Sequence, residues 1–186
     1  MKDLLIFGRS PFINKLDLSN INYDKYDVLC INYPIPDIKV HYCLGCDEWT
    51  KPVLAPKTQW ISIHTGYNFI KTCDTFHHDG YNLSWCCFSS SAAISFAISK
   101  GYKNCYLIGI DLLENNKPLT HYDGITNSIC TKSTACKKEK KYIKEMLDFI
   151  QIYQTNKEVK DDWDIPFCDI SNIIKNHSAK WLRKKI

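Results

Sequence analysis

Short apolar runs alternate with polar turns along most of this chain. Leu4-Leu5-Ile6-Phe7 is a continuous apolar run closed by Gly8, the pattern of a strand covered on both faces. Asp27 to Asn32 repeats it as a second strand that ends in a polar residue. Lys39 to Leu44 predicts a third strand, with Asp47 just beyond it, and Gln59 to His64 a fourth. Ser89 to Lys100 then reads as a helix opened by a serine cluster, with Ala92, Ala93, Phe96 and Ala97 forming a face small enough for close packing on a sheet. Gly101 stops that helix, and Asn104 to Gly109 is a fifth strand running into Ile110-Asp111. Farther on, Ile143, Met146, Leu147, Ile150 and Tyr153 recur at helical spacing, which predicts one amphipathic helix from Cys136 to Tyr153. Ile165 to Ile170 predicts a last strand and Ser178 to Lys185 a basic terminal helix. Thr65 to Asn82 and Glu114 to Ala135 lack a period and read as loops, the second long enough to mark a functional segment.

Strands alternating with helices imply an α/β fold: a mostly parallel sheet flanked by helices in a single Rossmann-like domain over residues 1–186. In a parallel sheet the carboxyl ends of the strands share one edge, and that edge is where open α/β sheets bind ligands. Gly8, Arg9, Ser10, Asn32, Asp47 and Asp111 all come after predicted strands, so they should converge there. The first helical turn brings unpaired N–H groups and a partial positive charge, which suits an anion and makes Ser89, Ser90 and Ser91 phosphate-binding candidates. Arg9, between Gly8 and Ser10, is suited to a bidentate contact with the same phosphate. The expected ligand is phosphorylated, a nucleotide.

Composition narrows this only a little. Hydrophobic content of 45% and charged content of 24% in 186 residues are ordinary for one globular domain. A net charge of +4, mixed in sign, does not favour nucleic acid, and the lysines from Lys137 to Lys144 alternate with Glu139 and Glu145 as on a solvated helix face. No run approaches the ~20 apolar residues of a membrane span, and Leu4 to Phe7 is too short for a signal peptide, so a cytoplasmic location is expected. Of the ten cysteines, Cys43 and Cys46 form a lone CxxC, half of a zinc site. Cys30 and Cys105 lie in apolar strands, so the thiols read as reduced and mostly buried. No metal or cofactor is expected. His121 is the candidate general base, since an unperturbed pKa near 6.5 suits proton transfer at neutral pH, with Tyr122 beside it as a hydroxyl donor.

The order and spacing of these segments resemble the bacterial sialyltransferases of the lipooligosaccharide type and related short phage-encoded proteins. Leu4 to Pro11 resembles the family's opening strand and its glycine-rich turn, and "DVLCIN" its second strand ending in a nucleotide-contacting asparagine, here Asn32. "SSSAAISFAISKGYKNCYLIGID" resembles its serine-led helix and the strand ending in Gly-Ile-Asp. The helix from Lys137 and "IPFCDIS" resemble its late helix and strand. The resemblance implies a cytidine monophosphate (CMP) sugar spread over the strand ends, phosphate held by the backbone of Ser89 to Ser91, and Asp111 near the nucleoside. It also implies metal-independent transfer to a glycan acceptor by a histidine base, with tyrosine hydroxyls on the leaving phosphate. Arg9 stands where the family places an asparagine, and Leu113 where it places its first phosphate-binding tyrosine. A non-catalytic nucleotide-binding or sequestering module is therefore the alternative. Acceptor, base and oligomeric state are left open, a homo-oligomer among the states allowed.

Overall fold

A computed structural model of the chain describes residues 2–45, 54–62, 89–111, 119–120, 126–127, 133–159 and 164–176. The apolar runs become β1 (Asp3–Phe7), β3 (Tyr26–Ile31), β4 (Tyr42–Gly45), β5 (Gln59–Ser62), β6 (Asn104–Ile108) and β9 (Gln151–Gln154) of a single six-stranded sheet in the order β5-β4-β3-β1-β6-β9. Every ladder in it is parallel. Two small antiparallel pairs join β2 (Leu16–Asp17) to β10 (Lys175–Asn176) and β7 (Leu119–Thr120) to β8 (Thr126–Asn127).

Burial explains why the runs are continuous. On one face Leu4, Ile6, Leu29, Ile31, Leu44 and Leu107 pack against α1 (Ser89–Ser99) and α2 (Ser133–Met146). On the other, Leu5, Phe7, Val28, Cys30 and Ile108 meet Ile13 and Ile170 from the 3-10 helices Pro11–Lys15 and Ile170–Asn172. A strand covered on both sides has no solvent face on which to alternate.

Sequence and structure part company after Met146. The helix predicted to reach Tyr153 ends at Met146, four residues turn the chain, and Gln151–Gln154 pairs with β6 as the edge strand. Ile150 stays on the buried face across that turn, and no glycine or proline marks the break, so the apolar spacing runs on undisturbed. The strand predicted over Ile165 to Ile170 reduces to one parallel bridge on the outer edge of β9, Gln154 to Phe167, because the chain turns off at Asp169, which caps the 3-10 helix Ile170–Asn172.

The amino edge of the sheet carries a polar cluster of its own. Asp27 accepts hydrogen bonds from Lys2 Nζ at 3.2 Å and Tyr102 Oη at 2.7 Å. His41 Nδ1 accepts from the Val28 N–H at 3.0 Å, so the ring is held neutral at that nitrogen, with Nε2 3.5 Å from Asp27. Burial lowers the His41 pKa, and the positive charges of Lys39 and Lys2 add to it, against the pull of Asp27. Burial alone would raise the Asp27 carboxyl; the hydrogen bonds of Tyr102 and Lys2 outweigh it and hold the pKa below the usual value. A histidine with a depressed folded pKa is stabilising while neutral. That contribution is complete above the unfolded value near 6.5 and is lost as pH falls below it, before the Asp27 contribution fades near 4. Urea midpoints should therefore drop between about pH 7 and pH 5. His41→Asn, which keeps an acceptor for the Val28 N–H, should flatten that window; an unchanged slope would rule His41 out as its source.

Among the described residues no helix is long and apolar enough to cross a membrane.

Candidate functional site

The strand order reverses direction at β1, with β3, β4 and β5 to one side and β6 and β9 to the other. Connections leaving two strands in opposite directions open a crevice at their carboxyl ends, the switch point of an open α/β sheet. The turns after β1 and β6, Gly8-Arg9-Ser10 and Gly109-Ile110-Asp111, face each other across it.

Backbone contact binds these two turns. The Gly8 N–H donates to the Ile108 carbonyl at 2.8 Å and the Ser10 N–H to the Gly109 carbonyl at 3.0 Å. Such an approach needs a missing side chain: a Cβ on Gly8 would lie 2.7 Å from Ile110 Cγ1 and 2.9 Å from the Gly109 carbonyl carbon. Gly109 itself has φ +66°, which glycine adopts freely. The Ser10 hydroxyl donates to Asp111 Oδ2 and accepts from the Phe12 N–H at 3.1 Å, capping the 3-10 helix that Pro11 opens. Ser10 and Asp111, predicted to converge, are in direct contact.

Arg9 and Asn32 flank this pair. The Arg9 guanidinium carbon sits 4.8 Å above the ring of Tyr33, in cation–π range, on a tyrosine 39% exposed. Asn32 comes directly after β3 with φ +67°, a left-handed conformation that asparagine tolerates better than most residues, and its N–H donates to the Leu44 carbonyl at 2.7 Å. Its Oδ1 is buried and finds no hydrogen-bond partner among the described residues. A buried acceptor left in this state costs about 1–3 kcal/mol, so it is a natural place for a ligand N–H.

α1 runs antiparallel to the strands. Its far end carries Tyr102, bonded to Asp27 at the amino edge, and eleven residues at 1.5 Å rise, about 16 Å, bring Ser89 back level with the carboxyl edge. The start of this helix is met by an anion from within the chain. Glu139 of α2, wholly buried, accepts from the Ser90 hydroxyl at 2.6 Å, the Ser91 N–H at 2.6 Å and the Ser91 hydroxyl at 2.9 Å. The serines predicted to hold a phosphate thus begin a helix at the predicted residue, while the hydroxyls of Ser90 and Ser91 bind a carboxylate. The alternation of lysines and glutamates predicts Glu139 on a solvated face. Its spacing of four and seven residues from Ile143 and Met146, both buried, puts it on the apolar stripe instead.

A second group carries no signature in the sequence. Gln154, Thr155 and Asn156, at the end of β9, are buried, and the Asn156 amide donates to Asp111 Oδ1 at 3.1 Å. Asp47, His121 and Tyr122 lie outside the described residues, as does Cys46 of the lone CxxC. Among the described residues no group of three His, Cys, Asp or Glu could hold a metal ion. A groove of about 490 Å³ between the ends of the two helices, lined in part by Ile98, Lys103 and Phe149, lies at the amino edge, away from the switch point.

No protein-family model matches the chain, and no curated protein does. Solved structures do. The sialyltransferase CstII from Campylobacter jejuni, in complex with the substrate analogue CMP-3FNeuAc, superposes with a TM-score of 0.60 at 17% identity, covering 96% of this chain and 92% of that one. With cytidine-5'-monophosphate bound, CstII gives 0.61 at 16% identity over 96% and 91%. The monofunctional alpha-2,3-sialyltransferase Cst-I from the same organism gives 0.59 at 15% identity over 95% and 85%. At such identities the likeness is one of architecture: this chain has the α/β fold of the Campylobacter sialyltransferases.

Proposed function

We propose that this chain, as one domain, binds a nucleotide or nucleotide sugar, most simply a CMP-sugar, at the carboxyl edge between β1 and β6, as a sialyltransferase-like glycosyltransferase. The observation that carries the reading is the meeting of Ser10 and Asp111 across the switch point, with Arg9 and the buried Asn32 Oδ1 beside them. Arg9 is the phosphate ligand, Asn32 takes an amino group of the base, and Asp111 lies by the ribose. CstII and Cst-I share the fold, and CstII has been crystallised with CMP and with a CMP-sugar analogue.

In the transferase reading His121 deprotonates an acceptor hydroxyl, while Arg9 and Tyr122 neutralise the departing phosphate. No metal enters this scheme. A binding module without transfer is the second reading, and Glu139 favours it: a carboxylate at the start of α1 offsets the positive end of the helix that would otherwise stabilise a leaving phosphate.

Calorimetric titration with CMP tests the site. Arg9→Ala should weaken binding by about 1.5–3 kcal/mol, the worth of a charge-assisted contact. Equal affinity in the variant would remove Arg9 from the site. Release of CMP from a CMP-sugar, abolished by His121→Ala with CMP affinity intact, would support transfer. Binding without release by the unmodified protein would decide for the module.

A further inference from the structure

The end of β9 and the turn after it concentrate buried polar side chains: Gln154 is 0%, Thr155 4% and Asn156 2% exposed. Polar groups so placed are costly unless each finds a partner, and here they do. Gln154 Nε2 donates to the Ile110 carbonyl at 3.0 Å, while its Oε1 accepts from the N–H groups of Thr155 at 2.8 Å and Asn156 at 3.0 Å. The Thr155 hydroxyl donates to the Leu107 carbonyl at 2.7 Å. Asn156 Oδ1 accepts from the Glu158 N–H at 3.0 Å, and its amide nitrogen donates to Asp111.

Two of these bonds, from Gln154 and Thr155, brace the end of β6 and its turn, and three close the turn on its own backbone. The one from Asn156 is different in kind, because it ends on a side-chain oxygen at the candidate site. Asp111 is thereby held from both sides, Oδ2 by Ser10 after β1 and Oδ1 by Asn156 after β9. Two fixed donors on opposite oxygens leave the carboxylate little rotational freedom, which is the condition for a preorganised contact with a ligand hydroxyl. The ring closes on the solvent side. Glu158 of the same turn pairs with Lys15, at the end of the 3-10 helix that Ser10 caps, at 2.9 Å.

We propose that Asn156 is a positioning residue of the nucleotide site, acting through Asp111, and that Gln154 holds Asn156 in place to do so. The inference rests on the function proposed above and extends it: the third wall of the site is the end of β9.

Cytidine, which has no phosphate, isolates the nucleoside end of the ligand. Asn156→Asp sets a second carboxylate against Asp111, and like charges so close cannot both ionise without strong repulsion. The charged groups around it are Asp111 after β6, Arg9 beside Asp111 in the turn after β1 and, in its own turn, Lys157 and Glu158 with its partner Lys15. Cytidine affinity in Asn156→Asp should fall about tenfold at pH 8 and recover toward the unmodified value near pH 5.5, where the pair shares a proton. Asn156→Ser, neutral and too short to reach, should lose affinity by a similar factor at both pH values. A residue that only stabilised the turn would lower the melting temperature of both variants without giving either a pH-dependent affinity. Unchanged cytidine affinity in the two variants, with the unmodified protein binding, overturns the role of Asn156 and leaves the site standing. If Asn156→Asp does not fold, Asn156→Ser alone decides. Failure of the unmodified protein to bind cytidine or CMP overturns both the proposed function and this inference.

Discussion

Glu139→Ala will lower the melting temperature by roughly 6–12 °C, the equivalent of about 3 kcal/mol in a chain of this size. The carboxylate is wholly buried and accepts from the hydroxyls of Ser90 and Ser91 and from the Ser91 N–H in the first turn of α1. Bringing a charge into the interior is expensive, and the pairing repays that cost only while every donor is in place. Truncation takes this acceptor from two buried serine hydroxyls and an N–H, at up to about 1–3 kcal/mol each before relaxation. It also deprives the helix start of a negative charge, worth about 0.3–1 kcal/mol or more when buried. Glu139→Gln should fall between, since it keeps the shape and an acceptor but not the charge. Ser90→Ala, which removes one hydroxyl, should cost the least. A thermal melt of Glu139→Ala within about a degree of the unmodified protein would show that the carboxylate is dispensable.

Gly8→Ala will abolish the nucleotide binding proposed for the switch point, and its stability cost should reach or pass the upper end of the ~1–3 kcal/mol typical of overpacking. The atoms that a Cβ would strike are the Gly109 carbonyl group and the side chain of Ile110. Backbone cannot rotate away as a flexible side chain can, so β1 and the loop after β6 would separate. Separation breaks the Ser10 N–H bond to Gly109 and pulls the Ser10 hydroxyl from Asp111. Gly101→Ala is the control. Its φ of +77° makes alanine strained by about 1 kcal/mol, yet no atom lies within 4 Å of the new Cβ and the site is at the other edge. Loss of stability in both variants with CMP affinity retained in Gly8→Ala would detach the glycine from the site.

Much of this architecture is legible because parallel strands covered on both faces leave uninterrupted apolar runs. Leu4 to Phe7 and Asn104 to Ile108 need no partner to be recognised. Gly8, Ser10, Asn32 and Asp111 are legible for the same reason: each lies just past such a run, and a common strand direction gathers the strand ends at one edge. Glu139 is not, since its meaning depends on two serines forty-nine and forty-eight residues away. Gln154 to Asn156 carry no pattern of their own, and their role rests on carbonyl partners on β6 and its turn. The boundary between α2 and β9 fails for a different cause. Leu147 and Ile150 extend the helical stripe past the point where the helix stops, and a four-residue strand such as Gln151–Gln154 is too short to assert a period of its own.

The central position of β1 bears on the order in which the molecule can assemble. Leu5 meets Val28 on one side, early in the chain, and Tyr106 on the other, after a far longer excursion. Closing the longer loop costs more chain entropy and is slower, so pairing among β1, β3 and β4 has the advantage. The crevice at the switch point does not exist in such a half-built sheet. It forms only when β6 docks, and its third wall only when β9 joins, so a ligand held there can trap the finished fold but cannot template its first steps.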